Sequence, residues 1–259
     1  MKAHASEGER SGGGSGKFPV TRWSAIVAAR SADPAERACA LEAIVAAYWK
    51  PIYKYVRIRW NKPNEDAEDL TQDFFARLIE KGTLADFDPA KARLRTFLRV
   101  CTDHFVANEA KAAKRLKRGG DAIHLSLDFA AAELELERGT PALPATVSPE
   151  RIDEFIEKEF IRNLFGLSVQ ELRRFCESHG KQIHFRLFEI YDLEDDEQKR
   201  AGYAELARQF GVAVTDVTNY LAFARREFRR IALEKLREMT ASDEEFRREA
   251  RALLGVESK

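Results

Sequence analysis

The spacing of its apolar residues leaves this chain one economical way to bury them. Leu70, Phe74 and Leu78 recur at i, i+4 and i+8, and Phe75 and Ile79 widen the stripe; that is one face of an α-helix. Nearly every ordered stretch reads the same way, and no stretch alternates in the manner of a strand. The expected fold class is therefore all-α. Start and stop signals cut the pattern into pieces. Asp33-Pro34 reads as an N-cap followed by proline at the first helical position, opening a run to Trp60 that Lys50-Pro51 interrupts. Asn64 or Glu65 opens the next helix, with Glu65, Asp66, Glu68 and Asp69 where the helix dipole favours acids, and Gly82 closes it. A loop containing Asp88-Pro89 precedes a helix from about Arg93 to Lys117, which stops at Gly119-Gly120. Ser148-Pro149 starts a helix to Phe165, and Ser168-Val-Gln-Glu171 reads as a capping box starting another, with Gly180 as its C-terminal cap. Residues 181–191 read helical. Segments 203–210 and 214–238 form a pair of helices, and a capping box at Ser242-Asp-Glu-Glu245 starts a last short helix ending at Gly255.

The 259 residues carry 43 basic and 43 acidic side chains, a net charge of +0. That balance conceals an asymmetry. Residues 48–118 sum to +6, residues 119–200 to −8 and residues 201–239 to +2. Two basic segments flanking an acidic one keep nucleic acid open as a partner, which the total alone does not suggest. No run of eighteen apolar residues occurs, so no membrane span is expected, and the N-terminus lacks the apolar core of a secretory signal. The cysteines, Cys39, Cys101 and Cys176, are odd in number and far apart, which argues for a reducing, cytoplasmic setting. Gly, Pro and Thr punctuation over 119–148 reads as linker.

Three segments carry recognisable chemistry. In Tyr203–Arg230, Ala207, Gly211 and Val217 sit at relative positions 5, 9 and 15 of a helix-turn-helix. A small residue lets the helices cross, glycine takes the left-handed turn, and valine faces inward, continued by Tyr220, Leu221 and Ala224. The other face shows Thr215, Asp216, Thr218, Asn219 and Ala222, then Arg225 and Arg226: short polar groups for base edges followed by arginines for phosphates. An ordinary helical hairpin accounts for the same turn. In 91–118, Arg93, Arg95, Thr96, Arg99, His104, Asn108, Lys111, Lys114 and Arg115 interleave with Phe97 and Phe105. Cations hold phosphates and aromatics stack on unpaired bases, although a basic solvated face over a Leu94/Phe97/Leu98/Cys101/Phe105 core fits too. The acidic helix 66–81 leaves Glu68, Asp69, Gln72, Asp73 and Arg77 outward, either solvated or facing a partner. Catalytic readings are weak. The Ser/Gly run from Ser11 to Gly16 lacks the ending of a phosphate loop, Cys176, His179 and His184 fall short of four zinc ligands, and neither a cofactor nor a small-molecule substrate is expected.

Together these pieces resemble the extracytoplasmic-function (ECF) sigma factors of bacterial RNA polymerase, in the sigma-70 family. Asp66-Ala-Glu-Asp-Leu-Thr-Gln-Asp-Phe-Phe75 resembles their core-binding motif, Phe87-Asp-Pro to Arg99 the loop and helix that follow it, and Tyr203–Arg230 their fourth conserved region. Phe18-Pro-Val-Thr-Arg-Trp23 is similar to the start of a subgroup. The resemblance covers about 18–118 and 200–240. It implies a tail at 1–17, a region 2-like helical domain at 18–118, an acidic and partly helical linker at 119–200 and a region 4-like domain at 201–259. It also implies a non-enzymatic role. The first domain would grip the clamp helices of the polymerase β′ subunit and melt the −10 element; the second would read the −35 element and touch the β flap. Carried over by position, Asp66, Glu68, Asp69, Gln72, Asp73 and Phe75 fall on the core-binding helix, 84–92 on the loop that captures a flipped base, and Arg93, Arg95, Thr96, Arg99, His104, Asn108, Lys111, Lys114 and Arg115 on the strand-separating helix. The resemblance leaves an anti-sigma partner open. Asp103-His104 and Asn108-x-x-Lys111 depart from the family's Arg-Asn and Asp-x-x-Arg, which should weaken phosphate contact, and Asp216, Asn219 and Tyr220 depart on the second domain. Two other functions compete: a helix-turn-helix regulator that needs no polymerase, for which an acidic, apolar-striped 66–81 has no use, and an interaction scaffold, for which Asp216 on the recognition face speaks.

Overall fold

The computed structural model describes residues 25–112, 125–137, 148–194 and 201–255. The tail 1–17, Phe18–Trp23, Gly119-Gly120, Lys114 and Arg115 lie outside the described residues. Those described form helices α1 (Ala25–Ala28), α2 (Pro34–Arg59), α3 (Asn64–Glu80), α4 (Leu94–Ala112), α5 (Phe129–Glu137), α6 (Pro149–Ser178), α7 (Gln182–Asp192), α8 (Tyr203–Phe210), α9 (Val214–Glu238) and α10 (Asp243–Leu254), with a 3-10 turn at Thr83–Asp86. No strand occurs among them, so the fold is all-α as expected.

Most boundaries follow from local chemistry. Asp33 Oδ1 accepts from the Ala35 amide at 2.9 Å, with Pro34 at the first helical position. Gly82 ends α3 at φ 62° and Gly211 ends α8 at φ 66°, a region where a side chain would be strained. Ser242 Oγ accepts from the Glu245 amide at 3.1 Å, while Glu245 reaches back to the Ala241 amide at 2.8 Å.

Two expected breaks are absent. Lys50-Pro51 does not interrupt α2, which runs through it. Proline has no N–H to give the carbonyl four residues earlier, here Ala47, and a helix interior normally suffers for it. Asn163 of α6 supplies the missing donor: its Nδ2 donates to Ala47 O at 2.7 Å and to Ala46 O at 3.0 Å. Nor does Ser168 cap a new helix. The expected pair of helices is one, α6, thirty residues long, and the Ser168 hydroxyl donates back to Leu164 O at 2.7 Å.

Burial is shared among three clusters. The first joins Ile44, Tyr48, Ile52 and Tyr53 of α2, Phe74, Phe75 and Leu78 of α3, Leu94 and Leu98 of α4, and Phe160 and Leu164 of α6 to Leu236, Met239, Phe246 and Ala250 from the far end of the chain. The second holds Leu172, Cys176, Phe185, Leu187 and Phe188 with Leu206, Ala207, Val217, Leu221, Ala224 and Ile231. A smaller one sets Tyr55 against Ile152, Phe155 and Ile156. Residues 119–200, expected as an acidic and partly helical linker, contribute α5, α6 and α7 and parts of all three clusters. Polar side chains seal the seam beside α2. Lys54, 1% exposed, is held at 2.7 Å by both Glu135 of α5 and Glu159 of α6, as a buried ammonium must be. Arg57 pairs with Glu133 at 2.5 Å.

The Pro51–Asn163 exchange makes a quantitative test. Asn163→Ala orphans the Ala47 carbonyl and should cost about 1–3 kcal/mol of stability. In a Pro51→Ala background, where an amide is again available, the same change should cost distinctly less. Urea unfolding of the four variants measures the coupling.

Candidate nucleic-acid and polymerase interface

The acidic outer face of α3 is built as its sequence implies, with one exception. Asp66 and Asp69 are exposed, and Glu68, Gln72 and Asp73 are half-buried. Phe75 is not on that face. It is fully buried in the first core, edge-on to Phe74, because Phe74 and Phe75 both lie on the inward stripe; its part is to anchor the helix. Arg77 pairs with Glu109 of α4 at 2.7 Å. Burial pushes the Asp73 carboxyl above the usual aspartate range; Arg77 opposes this, and Glu109 and Asp69 add to it.

The loop after α3 is held by a residue that pattern reading missed. Arg30, just after α1, donates to Leu84 O at 2.9 Å and also to Phe87 O. Leu84 and Phe87 are buried, so the exposed part of 84–92 is Ala85, Asp86 and Pro89–Lys91, carried on a fixed base. Nothing in the local pattern around Arg30 signals this, since its partners lie 54 and 57 residues away.

Helix α4 has two faces with different fates. Arg95, 5% exposed, is engaged by Glu157 of α6 at 2.5 Å and by Glu249 of α10 at 2.9 Å, and lies over the Phe160 ring. Burial opposes its charge, but Glu249 and Glu157 outweigh that and hold its pKa above the ordinary guanidinium value. Arg93 meets the same two carboxylates at 3.2 Å each, and Arg99 meets Asp103 and Asp153 at 3.1 and 2.9 Å. The three arginines expected to meet phosphates therefore face carboxylates of the chain itself. Asp103, the acid standing where the family has arginine, serves the fold instead. Its Oδ1 accepts from the Tyr55 hydroxyl at 2.6 Å and from Trp60 Nε1 at 3.1 Å. The other face is exposed among the described residues. Val100, His104, Asn108 and Lys111 form an exposed stripe along the helix, with Thr96 half-buried at its head.

Helices α8 and α9 meet across a three-residue turn, with Ala207, Val217, Leu221 and Ala224 buried. Thr215, Thr218, Asn219, Ala222 and Arg226 are exposed on one stripe of α9. Asp216 does not stand in that stripe as a free acid; its Oδ2 accepts from the Ala213 amide at 3.3 Å and caps the helix. Arg225 is taken by Asp192 of α7, with bonds of 3.0 and 2.8 Å, over the Tyr191 ring, whereas Arg226 lies over Phe223 with its side chain largely in solvent.

The cysteine–histidine trio does not converge. Cys176 is in the second core, His179 is the C-cap of α6, and His184 stacks on Tyr220, its pKa lowered by burial and by Lys181. Among the described residues no three His, Cys, Asp or Glu side chains are grouped to hold a metal, and no helix is long and apolar enough to cross a membrane.

Residues 44–116 match the sigma-70 region 2 family. The match takes in most of α2, all of α3, the Arg30-held loop and α4, and it supports a part in promoter recognition and transcription initiation. No curated protein and no solved structure matches the chain.

The raised Asp73 carboxyl has a definite sign. A folded pKa above the unfolded one adds stability below the unfolded value and loses it as pH rises through the folded value. Asp73→Asn should therefore be more stable than its parent at pH 7, and the difference should close as pH falls to about 4. Unfolding free energies at stepped pH values measure it.

Proposed function

We propose that this chain is a sigma factor of the ECF type, a cytoplasmic promoter-specificity subunit that carries no catalytic site of its own. The observation that carries the reading is the coincidence of the region 2 match with an acidic outward face on a helix whose other side is anchored by Phe74, Phe75 and Leu78. A helix that only filled the core would not need Asp66, Asp69 and Asp73 aligned outward, and a free-standing DNA-binding protein gains nothing from an acidic face. In this reading Asp66, Glu68, Asp69, Gln72 and Asp73 meet a basic surface of the polymerase β′ subunit.

Promoter opening then divides between two helices. Melting a duplex costs on the order of 1.4 kcal/mol per base-pair step, so unpaired bases and phosphates must be gripped in return. In this reading the grip falls to the exposed stripe of α4, with Asn108 and His104 for base edges, Lys111 for phosphate and the Arg30-held loop beside it; their exposure supports it. On α9, Thr218 and Asn219 lie in the N-terminal half, which enters a major groove in this mode of binding. Asn219 has the amide that pairs bidentately with adenine. Arg226 serves the phosphate backbone, while Arg225 holds α7 in place.

Asp69→Lys with Asp73→Lys should abolish co-purification with bacterial core polymerase while circular dichroism stays helical; binding that survives the double change rejects the reading. In run-off transcription with core enzyme and a promoter library, Asn219→Ala should relax preference at one upstream position and lower the preferred promoter about tenfold. Arg226→Ala should instead weaken all promoters alike and reduce the salt slope by about one. A pre-melted −10 bubble should rescue Lys111→Ala but not Asn219→Ala.

A further inference from the structure

Helix α6 changes allegiance along its length. Phe160 and Leu164 belong to the first core and Val169, Leu172 and Cys176 to the second, with Phe165 stacked on Phe228 at the edge of the second and Ser168 buried, which leaves Gly166 and Leu167 between them. In that gap sits Gly166, exposed, with no atom within 4 Å of where a Cβ would stand. Packing gives no reason for a glycine there, and a glycine inside a helix weakens it. Two residues on, Ser168 donates to Leu164 O, a back-bond that tends to bend helices, and a Gly/Ser pair is a recognised kink site. The same serine heads Ser168-Val-Gln-Glu171, the residues of a capping box that the unbroken helix leaves unused. The local sequence thus supports two states: one helix with the hydroxyl turned back on Leu164, or two helices with the hydroxyl capping the second.

We infer that Gly166–Ser168 is a hinge and that the body beyond it, from the second half of α6 to α10, swings away from α2–α4. The closed state is held by Leu236, Met239, Phe246 and Ala250 in the first core and by Glu249 on Arg93 and Arg95. Opening removes Glu249 from both arginines and leaves them Glu157, which stays with the first half of α6. It therefore exposes positive charge beside the stripe of α4 and separates α4 from α9. The functional meaning of that separation, two promoter-contacting elements released from one compact body, rests on the reading above; the hinge itself does not.

The test is made on the free protein. Amide hydrogen exchange should be faster over 165–171 than in the flanking turns of α6. Gly166→Ala should slow it about fivefold, the ratio set by the helix propensities of the two residues. Spin labels on the exposed native Cys39 and on Gln209→Cys, with Cys101→Ser, should give a second, longer distance. Its population should rise in Glu249→Gln and vanish in Gly166→Ala/Ser168→Ala, which keeps the helix and removes the latent cap. Uniform exchange along α6 with one distance in every variant overturns the hinge. Core polymerase is added only afterwards, so a chain that fails to bind it still reports on the hinge.

Discussion

A guanidinium almost wholly withdrawn from water has to be met by carboxylates, and Arg95 draws its two from 62 and 154 residues further along the chain. That requirement closes the molecule. Glu157 brings the first half of α6 onto α4, and Glu249 brings α10, and with it the end of α9, onto the same helix. Removing one member of such a set leaves an uncompensated buried charge, a penalty of about 3–5 kcal/mol, so the arrangement is strongly selected over partial alternatives. The apolar contacts of Phe160, Leu236 and Phe246 fall into one core between the same helices that these charged groups tie to α4.

The same pairing resolves the charge pattern of the sequence. The acidic middle segment and the basic segments on either side of it are not separate fields but two halves of an internal neutralisation: Asp153 and Glu157 on Arg93, Arg95 and Arg99, Glu159 on Lys54, Asp192 on Arg225. What stays exposed for a partner is smaller than the totals suggest and more sharply placed. Among the described residues it includes the acidic face of α3, the His104–Asn108–Lys111 stripe and the Thr215–Arg226 stripe.

Elements governed by neighbours in sequence were legible in it. Asp33-Pro34, Gly82, Gly211 and the Ser242–Glu245 box each act within a few residues, and each ends or begins a helix where the spacing implies. The turn between α8 and α9 was legible for the same reason. Pro51 and Ser168 misled because the deciding partner is distant or the local signal is overridden: Asn163 repairs one helix from 116 residues away, and two cores hold the other unbroken. The candidate site was legible as a set of helices, and on α3 and α9 also as faces, but on α4 it was not. Spacing placed Phe75 on the inward stripe of its helix and Arg93, Arg95 and Arg99 on α4, but only long-range pairing shows that the arginines meet carboxylates of the chain itself. Arg30 and Glu249 carry no local signal.

The Asn163 repair also orders events in time. Until residue 163 exists, the Ala47 carbonyl has only water to bond and α2 has a weak point at its centre, so the helix that organises the first core gains this stabilising contact late. With synthesis at ~5–20 residues per second, the 116 residues between that carbonyl and its amide partner take ~6–23 s to be made. During that interval α2 can pack on α3 and α4 but lacks the α6 side of the first core, Phe160 and Leu164 included.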